Sequence, residues 1–281
     1  MSILIADSGS TKTQWCWLQN GKKKKWQTSG LSPYFLSQQE MQGVVLKGLG
    51  RKFITEAVSQ VFFYGTGCAG EENNKQMVRM LKQVFKKARI VVKSDLFGAA
   101  IALCGNEKGV ACILGTGSNS CFFNGKKIVS NSPGLGYVLG DEGSGASMGK
   151  KLLQYFLYNT MDADLYDRFK SAYPNLDAAA ILDAVYRKPL PNRYLASFTP
   201  FLADNRGHFM VENIIEDAFA EFFFQHLFKY RGTWTSPVHF TGSIAYVFRD
   251  VLKELCHSYE IKPGKILKDP MEGLIGFHSK K

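Results

Sequence analysis

Two short turns in the sequence carry the small residues and hydroxyls that can bind phosphate. The first lies at residues 7–13, directly after the apolar stretch 3–6. Such a turn exposes backbone N–H groups that can hold phosphate oxygens, and Asp7 could hold Mg²⁺ through water, since one or two carboxylates usually carry this ion. An ordinary hairpin turn is the alternative interpretation. The candidate phosphate-binding residues are Gly9, Ser10, Thr11, Lys12 and Thr13.

A second turn of similar composition follows the apolar stretch 110–114. Two such turns are a more specific signal than one, because a triphosphate gripped between two lobes needs a pair. Neither turn is a Walker A loop, since GxxxxGK[ST] does not occur in the chain. The glycines of residues 134–140 lack the spacing of a dinucleotide-binding fingerprint. The candidates in the second turn are Gly115, Thr116, Gly117 and Ser118.

A third stretch, residues 134–149, contains six glycines. Ordering a glycine costs more chain entropy than ordering other residues. So many glycines therefore indicate that the backbone approaches a ligand closely, rather than forming a plain surface loop. Asp141 and Glu142 lie at its centre. Their carboxylates could accept hydrogen bonds from sugar hydroxyls or help to place a metal ion.

Asp95 lies between the apolar stretch 90–92 and a helix predicted over residues 96–103. One interpretation is a helix N-cap, the commonest use of Asp at this position. The other is a general base, because a carboxylate at the carboxyl end of a strand lies where α/β sheets bind ligands and can accept a proton from an attacking hydroxyl. The two roles are compatible.

The elements that must position these residues occur twice. An apolar strand, a Gly/Ser/Thr turn, a second strand and an Asn-Gly hairpin signal follow one another from residue 3 and again from residue 110. Strands alternate with helices between the two repeats, and the later part is mostly helical. The spacing of apolar residues predicts helices over 75–88, 178–186, 212–230 and 244–256. We therefore predict an α/β fold of two similarly built lobes, residues 1–105 and 106–281, and leave open that the last helix packs back on the first lobe.

The composition is that of an ordinary globular protein, with 45% hydrophobic and 21% charged residues among 281. No apolar run reaches the length of a membrane helix, and the first residues lack the basic region of a secretion signal. The six cysteines show no paired spacing, which is typical of buried reduced thiols. We expect a cytoplasmic protein with no membrane partner.

The net charge of +11 favours an anionic partner. Nucleic acid is not expected, because interleaved aromatic residues and an arginine-rich helix are missing from the sequence. The lysines at residues 22–25 are expected to form a solvated hairpin tip. A phenylalanine-rich helix at residues 219–228 is expected in the core or at a dimer interface, so a homodimer is possible.

In combination, these motifs resemble the actin, heat-shock chaperone and sugar kinase superfamily of two-lobed ATPases. Within it, they are most similar to the N-acetylglucosamine kinase group of the BadF/BadG/BcrA/BcrD ATPase family. The resemblance implies a two-lobed actin-like ATPase fold of duplicated ribonuclease H-like domains with an interlobe cleft, and the use of ATP and Mg²⁺. The matching segments are residues 5–13 and 114–119 (two phosphate loops), 134–145 (sugar loop) and 240–245 (adenosine motif).

The resemblance also implies roles for individual residues. Asp95 aligns with the carboxylate that acts as base on the sugar hydroxyl. Thr11, Thr116 and Gly242 would contact ATP, and Ser243 adjoins Gly242 in the same motif. The residues expected to contact the sugar, besides Asp95, are Asn119, Gly134, Leu135, Gly136, Asp141 and Glu142.

The chain departs from the family pattern at three places. Thr241 stands where a second glycine often precedes the serine of the adenosine motif. Ser32-Pro33 replaces an Asn-Pro that contacts the sugar in many members. Residues 122–255 contain no cysteine, so the role of iron–sulfur dehydratase activator is not expected.

The predicted function is therefore ATP-dependent phosphorylation of an N-acetylated amino sugar, with N-acetylglucosamine converted to its 6-phosphate. An N-acetylmuramic acid kinase of cell-wall sugar recycling is one alternative. A partner-driven ATPase without sugar kinase activity is another. A transcriptional regulator is not favoured, because no helix-turn-helix precedes the first strand.

Overall fold

The computed structural model describes residues 2–9, 11–34, 36–50 and 58–279. The chain forms two compact units. One comprises the residues up to 106 together with those from 269 onwards, and the other comprises Glu107–Lys268. Among the helices of the described ranges, none combines the length and apolar character that crossing a lipid bilayer requires.

The first unit is built on a five-stranded sheet with the order β3-β2-β1-β4-β5. The first three strands form two antiparallel hairpins, and β4 and β5 continue the sheet parallel to β1. Ala6 pairs with Trp15 on one side and with Phe63 on the other, and all three side chains are buried. The strands are β1 (Ser2–Ser8), β2 (Lys12–Gln19), β3 (Lys22–Ser29), β4 (Gln60–Gly65) and β5 (Arg89–Ser94).

Within the described ranges, one helix follows each of the strands β3, β4 and β5. A capping box between Ser37 and Glu40 starts the first helix. The second begins four residues before the helix that the spacing predicts over 75–88, and buries Met77, Met80 and Leu81. The helices are α1 (Gln38–Leu49), α2 (Glu71–Val84) and α3 (Asp95–Cys104).

The second unit repeats the sheet of the first. Its order, β8-β7-β6-β9-β10, has the same arrangement of two antiparallel hairpins followed by two parallel strands. The predicted α/β fold with a duplicated strand–turn–strand unit is therefore confirmed. The strands are β6 (Lys108–Leu114), β7 (Ser118–Asn124), β8 (Ile128–Ser132), β9 (Val238–Thr241) and β10 (Pro263–Leu267).

Most helices of the second unit lie between β8 and β9 and enclose a large apolar core. They are α4 (Gly136–Leu139), α5 (Gly145–Leu157), α6 (Ala163–Ala172), α7 (Ala178–Tyr186), α8 (Pro191–Ala196), α9 (Thr199–Asp204) and α10 (Phe209–Phe222). Two more, α11 (Ser243–Val247) and α12 (Arg249–Ser258), follow β9.

Two helix predictions in this unit differ from the structure. The helix predicted over 212–230 ends as α10 at Phe222 and continues as one π-helical turn, Phe223–Leu227. The phenylalanine-rich stretch is largely core, since Phe219, Phe222 and Phe223 are buried. The helix predicted over 244–256 is divided into α11 and α12 at Phe248, whose backbone (φ −103°, ψ 34°) lies outside helical geometry and whose side chain is fully buried.

The chain returns to the first unit with α13 (Met271–Ser279). This helix packs closely on α3, since a Cβ at Gly273 would lie 2.4 Å from the Ala102 carbonyl oxygen. At its far end, His278 Nε2 lies 2.9 Å from the Tyr64 hydroxyl on β4. The last helix therefore anchors the carboxyl-terminal segment within the first unit.

Candidate functional site

The first phosphate turn is held together by hydroxyl groups. The buried Ser8 and Thr13 hydroxyls lie 2.7 Å apart, and the Thr13 hydroxyl also donates to the Ser29 carbonyl. Gly9 N donates to the Lys12 carbonyl and closes the turn. The Thr13 side chain therefore shapes the turn, whereas Thr11 and Lys12 face solvent. Ser10 lies outside the described residues.

Two other carboxylates act on Asp7 beside this turn. Asp7 lies at the end of β1, and burial together with the negative charges of Asp95 and Asp269 raises its pKa to about 7, against the opposing charge of Lys12. Asp269 precedes α13, and sequence analysis missed it because it is 262 residues further along the chain than Asp7.

A divalent cation fits this site, because it would offset both the burial of the Asp7 charge and the repulsion from Asp95 and Asp269, which together raise the Asp7 pKa. Within the described ranges, no three acidic, histidine or cysteine side chains form a group that could hold a metal ion. Mg²⁺ commonly keeps most of its water ligands and uses one or two carboxylates. The site therefore suits a largely hydrated Mg²⁺ at Asp7.

Asp95 is fixed at the carboxyl end of β5 by two hydrogen bonds. The Thr66 hydroxyl donates to its Oδ2 at 2.6 Å, and Leu96 N donates to its Oδ1 at 2.8 Å. Burial raises the pKa of Asp95 against the lowering effect of these donors. A fixed carboxylate with a raised pKa is suited to accept a proton.

The N-cap interpretation of Asp95 is wrong. The cap of α3 is Ser94, whose side chain accepts a hydrogen bond from Phe97 N at 3.2 Å, and Asp95 is the first helical residue. The Asp95 carboxylate is therefore not used for capping. Sequence analysis missed Thr66, although the Gly-Thr-Gly turn after β4 was a usable signal, because β4 and β5 are parallel neighbours that end at the same sheet edge.

The second phosphate turn is tied to the amino end of α5. Gly145 N and Ala146 N donate to the carbonyl oxygens of Gly115 and Thr116 at 2.8 and 3.1 Å. These bonds fix the peptide orientations of the turn. They also use two of the first N–H groups of α5, so phosphate binding would depend on the turn itself.

Asp141 lies against this second turn. Its Oδ1 accepts a hydrogen bond from Ser118 N at 3.1 Å, and a Cβ at Gly117 would lie 2.9 Å from both carboxylate oxygens. Burial raises the Asp141 pKa, partly offset by the Ser118 bond. The predicted sugar residue thus also supports the predicted phosphate turn.

The adenosine motif meets the same turn. Gly242 has φ +123°, and a Cβ there would lie 2.1 Å from the Leu114 carbonyl oxygen, so only glycine fits. Ser243 begins α11 and is exposed. Nearby, the buried Ser118 and Thr241 hydroxyls have no hydrogen-bond partner within the described part of the chain. Unsatisfied buried hydroxyls are costly, so these two groups mark a strained polar spot beside the turn.

The predicted sugar residues are partly brought together in the second unit. A Cβ at Gly134 would lie 3.6 Å from Asn119 Nδ2. Leu135 is exposed next to the short helix α4, which starts at Gly136. Glu142 faces His226 of the π-helical turn, with Oε2 and Nε2 3.2 Å apart. Sequence analysis missed His226, which is 84 residues from its partner.

Comparisons with known proteins give a consistent result. The fold is similar to that of a candidate N-acetylglucosamine kinase from Porphyromonas gingivalis, with a TM-score of 0.93, 40% sequence identity and coverage of 99% of both chains. It is also similar to MreB 5 of Spiroplasma citri, with a TM-score of 0.61 over 99% of this chain and 95% of that one. At 10% identity, only the actin-like fold is shared with the latter.

Among curated proteins, the chain is 26% identical over 198 residues to an N-acetylmuramic acid/N-acetylglucosamine kinase of Clostridium acetobutylicum. The matched segment covers 65% of this chain and 62% of that kinase, which is less than two thirds of its length. No protein-family model matches the chain. Because identity to the Porphyromonas gingivalis protein extends over nearly the whole of both chains, the protein belongs to the N-acetylglucosamine kinase family of actin-like sugar kinases.

Proposed function

We propose that the protein transfers the γ-phosphate of ATP to a hydroxyl of an N-acetylated amino sugar, forming N-acetylglucosamine 6-phosphate from N-acetylglucosamine. The observation that carries the proposal is the Asp95 carboxylate at the end of β5, held by Thr66 and Leu96 and carrying a raised pKa. Family membership supports the same reaction class.

In this proposal, Asp95 accepts the proton of the sugar hydroxyl as its oxygen bonds to the γ-phosphorus. The bond from that phosphorus to the bridging oxygen of ADP breaks, and the proton passes from Asp95 to solvent after the products leave. Thr66 fixes the carboxylate, which favours reaction by orientation. Phosphoryl transfer depends mostly on such positioning and on charge neutralisation.

The remaining candidates divide between the two substrates. Backbone groups of Gly9, Thr11 and Lys12 would contact phosphate of the nucleotide, as would those of Gly115, Gly117 and Gly242, while Asp7 would hold Mg²⁺ through water. Bound Mg²⁺ supplies neutralisation of the phosphate charge. The sugar would be recognised by Asn119, the backbone of residues 134–136, Asp141 and Glu142.

The substrate is tested by mass spectrometry of a sugar panel incubated with Mg-ATP. The panel contains N-acetylglucosamine, N-acetylmuramic acid, N-acetylmannosamine, glucosamine and glucose. N-acetylmuramic acid is included because the Clostridium acetobutylicum relative is described as a kinase of both acetylated sugars. A gain of one phosphate on an acetylated sugar, but not on glucosamine, supports the proposal. ATP hydrolysis with every sugar unmodified contradicts it and favours the partner-driven ATPase.

A further inference from the structure

A hydrogen-bonded chain lies behind the candidate sugar loop of the second unit. His226 Nε2 is 3.2 Å from Glu142 Oε2, and its Nδ1 is 3.1 Å from the Ser120 hydroxyl. The Tyr230 hydroxyl lies 2.9 Å from the same Ser120 hydroxyl and 3.0 Å from the Ser120 carbonyl oxygen. Ser132 N donates to the Tyr230 hydroxyl. The chain therefore links β8 and β7 to the glycine-rich loop.

The backbone around His226 departs from regular helix where this contact is made. His226 belongs to the π-helical turn Phe223–Leu227, and its ring stacks on Phe222 with centroids 4.6 Å apart and planes inclined by 19°. π-Helical turns inside helices are rare and are frequent at functional sites. A histidine that served only to fill the core would not need a carboxylate partner with 22% of its side-chain surface exposed.

A donor and an acceptor can be assigned to each hydrogen bond of this network. Burial lowers the pKa of His226, although Glu142 acts in the opposite direction and Lys229 adds to the lowering, so the ring is neutral near pH 7. With the proton on Nε2, His226 donates to Glu142 and its Nδ1 accepts from the Ser120 hydroxyl, while the single Tyr230 hydroxyl proton is shared between the Ser120 carbonyl and hydroxyl oxygens. Every polar atom then has a partner, and hydrogen bonds in such a chain strengthen one another.

The loop that carries Glu142 is anchored at two adjacent points on the same helical segment. Gly143 has φ +70°, and a Cβ there would lie 2.9 Å from Phe222 Cβ. Glu142 is bonded to His226, which stacks on that phenylalanine. At the other end of this series of hydrogen bonds, Ser120 directly follows Asn119, whose side-chain amide lies beside Gly134. One buried network thus fixes two of the segments expected to contact the sugar.

We propose that His226 is a positioning residue that holds the Glu142 carboxylate in the orientation in which it accepts a hydrogen bond from a sugar hydroxyl. The proposal rests on the sugar kinase activity proposed above. Oε2 is held from the protein interior by His226 Nε2, and the exposed part of the carboxylate is left to meet the ligand.

The test uses two substitutions that place an amide at different positions. His226→Gln puts an amide nitrogen near the position of Nε2 and can still donate to Glu142. His226→Asn reaches only the position of Nδ1 and can bond Ser120 alone. We expect His226→Asn to raise the KM for the sugar about tenfold, with the KM for ATP changed less than twofold. His226→Gln should recover the sugar KM to within about threefold of the original protein.

A double-mutant cycle shows whether His226 acts through Glu142. We expect Glu142→Ala to raise the sugar KM, and His226→Asn added to it to change that KM by less than about twofold. Effects that multiply in the double variant, or equal changes in both KM values, would overturn the proposal. His208→Gln is the matched control, because His208 faces Asp162 at 3.4 Å in the same unit; it should leave both KM values unchanged.

Sugar affinity measured by calorimetry without ATP separates this proposal from the reaction itself. If the original protein transfers no phosphate, the proposed function fails, and the affinities of the same variants still decide the role of His226. A protein that binds no sugar overturns both. Melting temperatures identify misfolded variants, which are left out of the comparison. If both His226 variants unfold, Glu142→Ala still tests the sugar contact, because the Glu142 side chain is partly exposed.

Discussion

Replacing Thr66 by valine should change the pH dependence of catalysis without changing the shape of the site. Thr66→Val keeps the branched side chain but removes the hydroxyl that donates to Asp95 Oδ2 at 2.6 Å. That donor stabilises the charged carboxylate, so its loss raises the Asp95 pKa further. The backbone N–H of residue 66, which donates to the Ser8 carbonyl at 2.9 Å, remains in place.

The size of the effect follows from the strength of the lost bond. A hydrogen bond to a charged acceptor contributes about 1.5–3 kcal/mol, and one pKa unit corresponds to about 1.36 kcal/mol. The Asp95 pKa should therefore rise by about one to two units. Since a base must be unprotonated, the acidic limb of the kcat profile should move to higher pH by the same amount.

The assay is steady-state phosphorylation of N-acetylglucosamine measured between pH 5 and 9. On the acidic limb, turnover by Thr66→Val should fall about tenfold for each unit of pKa shift, whereas the fall should be smaller at the alkaline end, where Asp95 is ionised in both proteins. Thr66→Ser retains the donor and is the matched control. An acidic limb at the same pH in all three proteins would refute the assigned role of Thr66.

Two further predictions concern the second unit. Gly242→Ala should destabilise the fold by at least about 2 kcal/mol in chemical denaturation, because the new Cβ meets the Leu114 carbonyl at φ +123°. The control is Gly43→Ala, which has nothing within 4 Å of the new methyl and should be neutral or slightly stabilising. Equal losses of stability in the two variants would contradict the clash at Gly242. His239 is buried and accepts from Lys265 N at 2.9 Å, and burial lowers its pKa to about 4. The stability that neutral His239 contributes is therefore fully present above about pH 6.5 and is lost as the pH falls towards 4. The loss at pH 5 is about 2 kcal/mol. His239→Asn keeps the acceptor and should flatten this dependence; an unchanged slope would contradict it.

The features predicted correctly from sequence are those with local signals. The hairpin signals Asn20-Gly21 and Asn124-Gly125 join the second and third strands of each sheet, and the repeated order of strand, turn and strand predicted the duplication. The helix over 178–186 is also confirmed as α7, because it starts after a capping Asp177 and carries a clear helical pattern.

The features that sequence could not reveal depend on contacts across long separations. Thr66 and Asp95 are 29 residues apart, and Glu142 and His226 are 84 apart. No periodicity marks such pairs, because each residue also fits its local element. The π-helical turn after Phe222 was hidden for a related reason, since apolar residues at helical spacing continue through it to Leu227.

Asp95 is proposed to be the base of an amino sugar kinase. The most direct test measures phosphorylated N-acetylglucosamine by mass spectrometry for the original protein and Asp95→Asn, with nucleotide affinity measured on the same samples. Glu71→Gln is the matched control, because Glu71 forms only an exposed ion pair with Lys75 in the same unit. We expect a loss of about 10²-fold or more in turnover for Asp95→Asn alone, with nucleotide affinity retained. Near-normal turnover in Asp95→Asn would contradict this role of Asp95.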